Sequence, residues 1–242
     1  MAMKSKPELA FYEAVIAGDA EGVAACLAAN PELITWQDVD MLGVPDETAL
    51  HLNTRYLARG DREKAYAVFD VLMEARPDVN ARQRSGWTPL MHAAGNSDLR
   101  MMARLLSAGA DPYLVNNDGG NALMCAAQKG SIECVHLLLS RGVPVDARDN
   151  GGQTALFKAR YAGDAAPDMI RYLIEQGANP NIFDNAGRSP AQAAFDQKYE
   201  DIAESYSKIW AKVTVAKKRD AAVLNNGLPH PLTVGKPLRL KS

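Results

Sequence analysis

The chain is poor in the features that most often announce chemistry or a membrane. Its three cysteines, Cys26, Cys125 and Cys134, stand far apart in 242 residues. An odd number with no C-x-x-C pair offers neither a disulfide framework nor a zinc knuckle, so all three read as small buried hydrophobes. No apolar run approaches the roughly 20 residues that cross a bilayer. The opening "MAMKSKPELAFYEAVIAGDAEG" has acids where a secretory signal needs an unbroken apolar stretch. An Asn-x-Ser/Thr acceptor is also missing. These absences point to a soluble, cytoplasmic protein with no membrane partner.

What is present is apolar content. With 47% hydrophobic and 23% charged residues the chain is not disordered, and it suffices for one domain or for an extended array without a single core. Charge is unevenly placed. Residues 211–242 hold seven Lys or Arg against one acid, Asp220, a local +6 that leaves −8 on the rest of a chain whose net charge is −2. An acidic body would repel phosphates, so nucleic acid is not an expected partner. "KKR" at 217–219 reads as the solvated end of a helix. Three prolines, Pro229, Pro231 and Pro237, make the tail extended.

Internal repetition dominates the middle. "TPLMHAA" (88–94), "NALMCAA" (121–127), "TALFKAR" (154–160) and "SPAQAAF" (189–195) begin 33, 33 and 35 residues apart, and "TALHLNT" (48–54) precedes them by 40. The following halves repeat too: "LLSAGADP", "LLSRGVPV" and "LIEQGANP" end helices on Gly109, Gly142 and Gly177, where a left-handed residue is easiest to place. Turns rich in Asn, Asp and Gly stand upstream: "QRSGWT", "NNDGGN", "DNGGQT" and "DNAGRS". In "TPLMHAAG" the Thr caps a short helix, Pro takes its first turn, and Ala93 and Ala94 let a second helix pack closely. That second helix carries the stripe Leu99, Met102, Leu105 and Leu106 in one unit and Ile132, Val135, Leu138 and Leu139 in the next.

Each unit is therefore a hairpin turn followed by two antiparallel helices. These motifs resemble the ankyrin repeat, D-x-x-G-x-T-P-L-H-x-A-A-x-x-G followed by a Leu-Leu helix and G-A-D/N-x-N, over residues 8–212. The resemblance implies an all-α solenoid of about six units. Residues 1–213 would form the array with its capping units and 214–242 an extended basic tail. The first unit lacks the Thr-Pro turn but keeps Val23, Cys26 and Leu27 on an inner stripe, as a cap should. Unit two has a longer turn and extra residues that imply longer helices, and "GDAAPDM" is an insertion near residue 165. Ile202, Tyr206, Ile209, Trp210 and Val213 would close the stack.

Catalytic residues are not evident. His51 occupies the T-P-L-H position, where the resemblance implies a bond to the backbone of a neighbouring turn. His92, Cys125 and Cys134 are the only candidate metal cluster, and their spacing is unlike that of metal ligands. "DNGGQT" lacks the Lys-Ser/Thr of a phosphate loop. The resemblance implies instead a monomeric protein-binding module, an inhibitor, adaptor or regulator, without cofactor. Its contact surface would be the hairpin tips and the exposed end of each first helix. The residues there are Arg84, Ser85, Trp87, Asn117, Asp118, Gln128, Lys129, Asn150, Gln153, Tyr161, Asn185 and Arg188. Trp, Tyr and Arg commonly anchor interfaces, which makes Trp87 the leading candidate. The rival reading is an enzyme using the tail or a metal held by the His and Cys residues.

Overall fold

The computed structural model describes residues 5–39, 45–56, 61–196, 201–206, 208–209 and 211–212. Trp210, Val213 and the tail 214–242 lie outside the described residues. Helices follow one another in pairs: α1 (Lys6–Ala17) with α2 (Ala20–Ala29), α3 (Ala49–Tyr56) with α4 (Arg62–Glu74), and α5 (Pro89–Gly95) with α6 (Leu99–Ser107). Next come α7 (Ala122–Lys129) with α8 (Ile132–Ser140), α9 (Ala155–Lys158) with α10 (Ala166–Glu175), and α11 (Pro190–Asp196) followed by helical residues 201–206. The first helices of successive pairs lie against one another, forming an inner row α1, α3, α5, α7, α9 and α11. The second helices form an outer row behind them.

Local chemistry sets the helix ends. At α1 the Ser5 hydroxyl accepts from the Glu8 N–H and the Glu8 carboxylate accepts from the Ser5 N–H, a reciprocal box that satisfies two otherwise orphan donors. At α5 the Thr88 hydroxyl accepts from the Met91 N–H at 3.3 Å, and at α7 the Asn121 side chain serves the Met124 N–H at 3.0 Å. The glycine ending "TPLMHAAG" is not where the chain turns. Gly95 stays helical, and the chain turns through Ser97, at φ 54°. The glycines after the second helices do turn left-handed, Gly109 at φ 93°, Gly142 at 83° and Gly177 at 100°.

A continuous apolar cluster runs from Phe11 to Tyr206. Ala93, Ala94, Ala126 and Ala127 are fully or almost fully enclosed, and their small size lets α5 and α7 approach. The outer stripe keeps Met102, Leu105 and Leu106 of the expected line and takes Met101 in place of Leu99. In α6 it consists of Met101, Met102, Leu105 and Leu106, and Leu99, two residues or about 200° from Met101, is 41% exposed. The same shift recurs in α8, where Cys134, Val135 and Leu138 are buried and Ile132 and Leu139 are half-buried. In the first unit Val23 and Leu27 are buried and Cys26 is half-buried. Tyr206 is buried and donates its hydroxyl to the Leu156 carbonyl at 2.6 Å, closing the stack.

Two irregularities interrupt the series. The long turn of unit two is a two-stranded antiparallel ribbon, β1 (Gln37–Val39) with β2 (Pro45–Thr48), pairing Gln37 with Thr48 and Asp38 with Glu47. The insertion of the fifth unit cuts α9 to four residues and continues as two 3-10 turns, 159–161 and 163–165, before α10.

Candidate partner-binding site

Most of the expected contact residues lie on the hairpin tips. Asn117 donates its backbone N–H to the Ser85 carbonyl at 3.0 Å and its side-chain amide to the Arg84 carbonyl at 2.7 Å. Asn150 repeats both bonds one unit on, to Asp118 and Asn117, each at 2.8 Å, and Asn185 repeats them to Gly151 and Asn150 at 2.9 and 2.8 Å. The three asparagines form a ladder that stitches one tip to the next. Glycines make the close approach possible: Gly119 has φ +75°, and a Cβ there would lie 2.7 Å from the Asn150 nitrogen. These Asn donors are consumed inside the array, which gives Asn117, Asn150 and Asn185 a stacking role.

The inner helices present a different surface. His51 is fully enclosed; its Nε2 lies 3.0 Å from the Trp87 carbonyl and its Nδ1 2.8 Å from the Thr48 hydroxyl. Nε2–H donating to the carbonyl and Nδ1 accepting from Thr48 is the tautomer that satisfies both contacts. Burial lowers its pKa to about 4, against a smaller opposing pull from the Trp87 carbonyl, so the ring is neutral. The Trp87 position is thereby tied to unit two.

Trp87 is half-buried and stacks on His92, with ring centroids 5.1 Å apart and planes at 29°. It packs against the core while partly exposed, so it is neither a bare tip residue nor a core aromatic. His92 Nε2 lies 3.1 Å from Gln83 Oε1, and the Gln83 amide donates to Glu47. Glu47, 6% exposed, also pairs with Arg55 at 2.6 Å. This chain of contacts crosses from the unit-two ribbon to α5 and encloses one side of a cavity of about 280 Å³. Ser85, Trp87, Gln128 and Lys129 of the expected set line it, together with Arg55, Gln83, His92, Gly95, Asn96 and Cys125.

The other expected residues lie elsewhere. The Arg84 N–H donates to Asp46 at 2.7 Å, and Asp118 is exposed at its tip. Gln153 accepts from Lys158, which also pairs with Asp149 at 2.7 Å. Arg188 grips Asp184 of its own turn through Nε and Nη2, at 3.0 and 2.8 Å. Burial pushes the Asp184 pKa up, but the backbone and side-chain hydrogen bonds of Arg188 outweigh it and leave the carboxyl below its usual value. Tyr161 is 41% exposed and accepts from Arg160 beside a second cavity.

Among the described residues no three His, Cys, Asp or Glu side chains converge to hold a metal ion. His92 and Cys125 share the cavity, and Cys134 is buried in α8. The surroundings of Cys125 disfavour the thiolate and push its pKa to about 12, despite the nearby Lys158, so it is a poor nucleophile. No described helix is long and apolar enough to cross a membrane.

The sequence reading missed Arg55, Gln83, Gly95 and Asn96. A signal for two of them existed. Arg55, Gly95, Gln128 and Tyr161 each stand seven residues after their unit's capping position, so the register that picked out Gln128 and Tyr161 also reaches Arg55 and Gly95.

A family model for ankyrin repeats (3 copies) matches residues 11–149, and one for a single ankyrin repeat matches 151–185. The chain belongs to the ankyrin repeat family. Ankyrin repeats generally mediate protein–protein interaction, and nothing in the family or fold indicates an enzyme. The chain is 28% identical over 191 residues to the ankyrin repeat protein YahD of Escherichia coli (strain K12), covering 77% of this chain and 89% of YahD. It is 35% identical over 145 residues to NF-kappa-B inhibitor delta of Mus musculus, covering 59% of this chain and 42% of that protein. A crystal structure of the ankyrin repeat protein EF0377 superposes with TM-score 0.65 at 27% identity, covering 84% of this chain and 96% of that one.

Proposed function

We propose that this ankyrin array is a non-catalytic binding module, working in the cytoplasm as an inhibitor, adaptor or regulator, whose protein partner docks on the inner-helix face around Trp87. One observation carries the reading. Ser85, Trp87, Gln128 and Lys129, from two successive units, converge on one cavity, whereas the tip asparagines are spent on stacking. A half-exposed aromatic framed by polar and cationic side chains has the composition of an interface centre. Stacking holds it in place beforehand, so little conformational freedom is lost on docking. The likeness to a protein named as an inhibitor, NF-kappa-B inhibitor delta, supports the regulatory side of the reading.

The test is capture from native-source extract on immobilised wild type, Trp87→Ala and a chain ended after Val213, with mass spectrometry of what is retained. One dominant protein held by wild type and lost with Trp87→Ala is the expected result. Retention of the same protein by Trp87→Ala overturns the proposed face, and loss only on truncation transfers the contact to the tail.

A further inference from the structure

The cavity beside Trp87 has a charge pattern that says what enters it. We infer that it receives the carboxylate of an Asp or Glu side chain from an acidic segment of the protein partner. This deepens the binding reading above and rests on it. Residues 1–210 carry a net charge of −8, yet no lining residue of this cavity is acidic and two, Arg55 and Lys129, are cations. Lys129 stands exposed at the end of α7 with no counter-ion among the described residues. Glu47 is the carboxylate of the network along its wall; it is buried and already engaged by Arg55 and Gln83.

Shape agrees with charge. Gly95 is helical, so its conformation does not require glycine, and a Cβ added there meets no atom within 4 Å. The missing side chain leaves the cavity open between Arg55 and Lys129. The Trp87–His92 stack forms an apolar wall that suits the methylene stem of a Glu or an adjoining aliphatic residue. A monoanion fits better than a dianionic phosphate, because Glu47 already faces Arg55 at 2.6 Å and the uncompensated charge is that of Lys129.

The probe is a random 12-residue phage-displayed peptide library selected on the full immobilised chain, followed by anisotropy titration of the enriched peptides. Enriched peptides are expected to share an Asp or Glu. Changing it to Asn or Gln should weaken binding about tenfold, Lys129→Glu by at least that much, and Lys129→Arg by less than about threefold. Gly95→Leu, which fills the opening, should also weaken binding, with unchanged circular dichroism. Peptides without a shared acid that still depend on Trp87 overturn the carboxylate inference and leave the binding face standing. Peptides indifferent to Trp87, Gly95 and Lys129, or no enrichment, count against both. A phosphoserine binding tenfold better than Glu at the shared position replaces the carboxylate with phosphate.

Discussion

The hairpin tips and the inner face are built from the same units, yet they use their side chains in opposite ways. At the tips one residue type recurs in register, Asn117, Asn150 and Asn185, and makes the same pair of bonds each time. On the inner face the equivalent positions differ in every unit: Arg55, Gly95, Gln128 and Tyr161. A residue that must meet the next unit is constrained by geometry that repeats, so it repeats as well. A residue that meets something outside the array has no such constraint.

The core beneath both surfaces gives the largest expected effect. Leu138→Ala should cost about 2–5 kcal/mol in chemical denaturation, because the side chain is fully enclosed between inner and outer rows. Leu139→Ala, at a half-buried neighbour, should cost less than half as much. Equal costs would place the stripe back where the sequence alone put it.

The anchor of Trp87 can be tested by pH. His51 titrates near 6.5 when unfolded and at about 4 when folded, so the unfolded chain binds the extra proton between those values. The contribution is fully present above pH 6.5, falls as pH drops toward 4, and amounts to about 3 kcal/mol. Denaturation midpoints measured from pH 7.5 to 4 should therefore decline more steeply in wild type than in His51→Met. Met occupies the same register at Met91 and Met124, where it is buried.

The ladder itself separates Gly119 from Gly187. Both are left-handed, at φ +75° and +73°, but only at Gly119 would a Cβ strike the next unit's asparagine. Gly187→Ala should cost about 1–2 kcal/mol from conformation alone, and Gly119→Ala clearly more. Smaller again is Asn150→Ala, which removes one side-chain hydrogen bond worth about 1 kcal/mol. At the inner face the sign reverses: Gly95→Ala should stabilise by about 0.5–1 kcal/mol, since helical Gly95 has open space around it.

How much was legible follows from the same distinction. The repeat register revealed the cap at Thr88 and the left-handed glycines, because each is local chemistry repeated at fixed spacing, and the resemblance to ankyrin repeats implied the His51 bond to a neighbouring turn. The tip asparagines were visible as contact candidates, but their stacking role was not read, although their recurrence at 33 and 35 residues was a sign of it. Most of the outer stripe was placed correctly, Met102, Leu105, Leu106, Val135 and Leu138 among them; Leu99 was counted in because it is apolar at helical spacing, and only packing shows that Met101 takes its place. The Glu47–Gln83–His92 connection joins residues from two units through side chains that no short motif links.

The most direct measurement is the dissociation constant of the captured partner, by titration calorimetry, for wild type, Trp87→Ala and Asn150→Ala. Trp87→Ala should weaken binding about 30-fold or more, equivalent to about 2 kcal/mol, and Asn150→Ala should stay within about threefold of wild type. A partner that tolerates Trp87→Ala and is lost with Asn150→Ala would contradict the division between a stacking ladder and a recognition face.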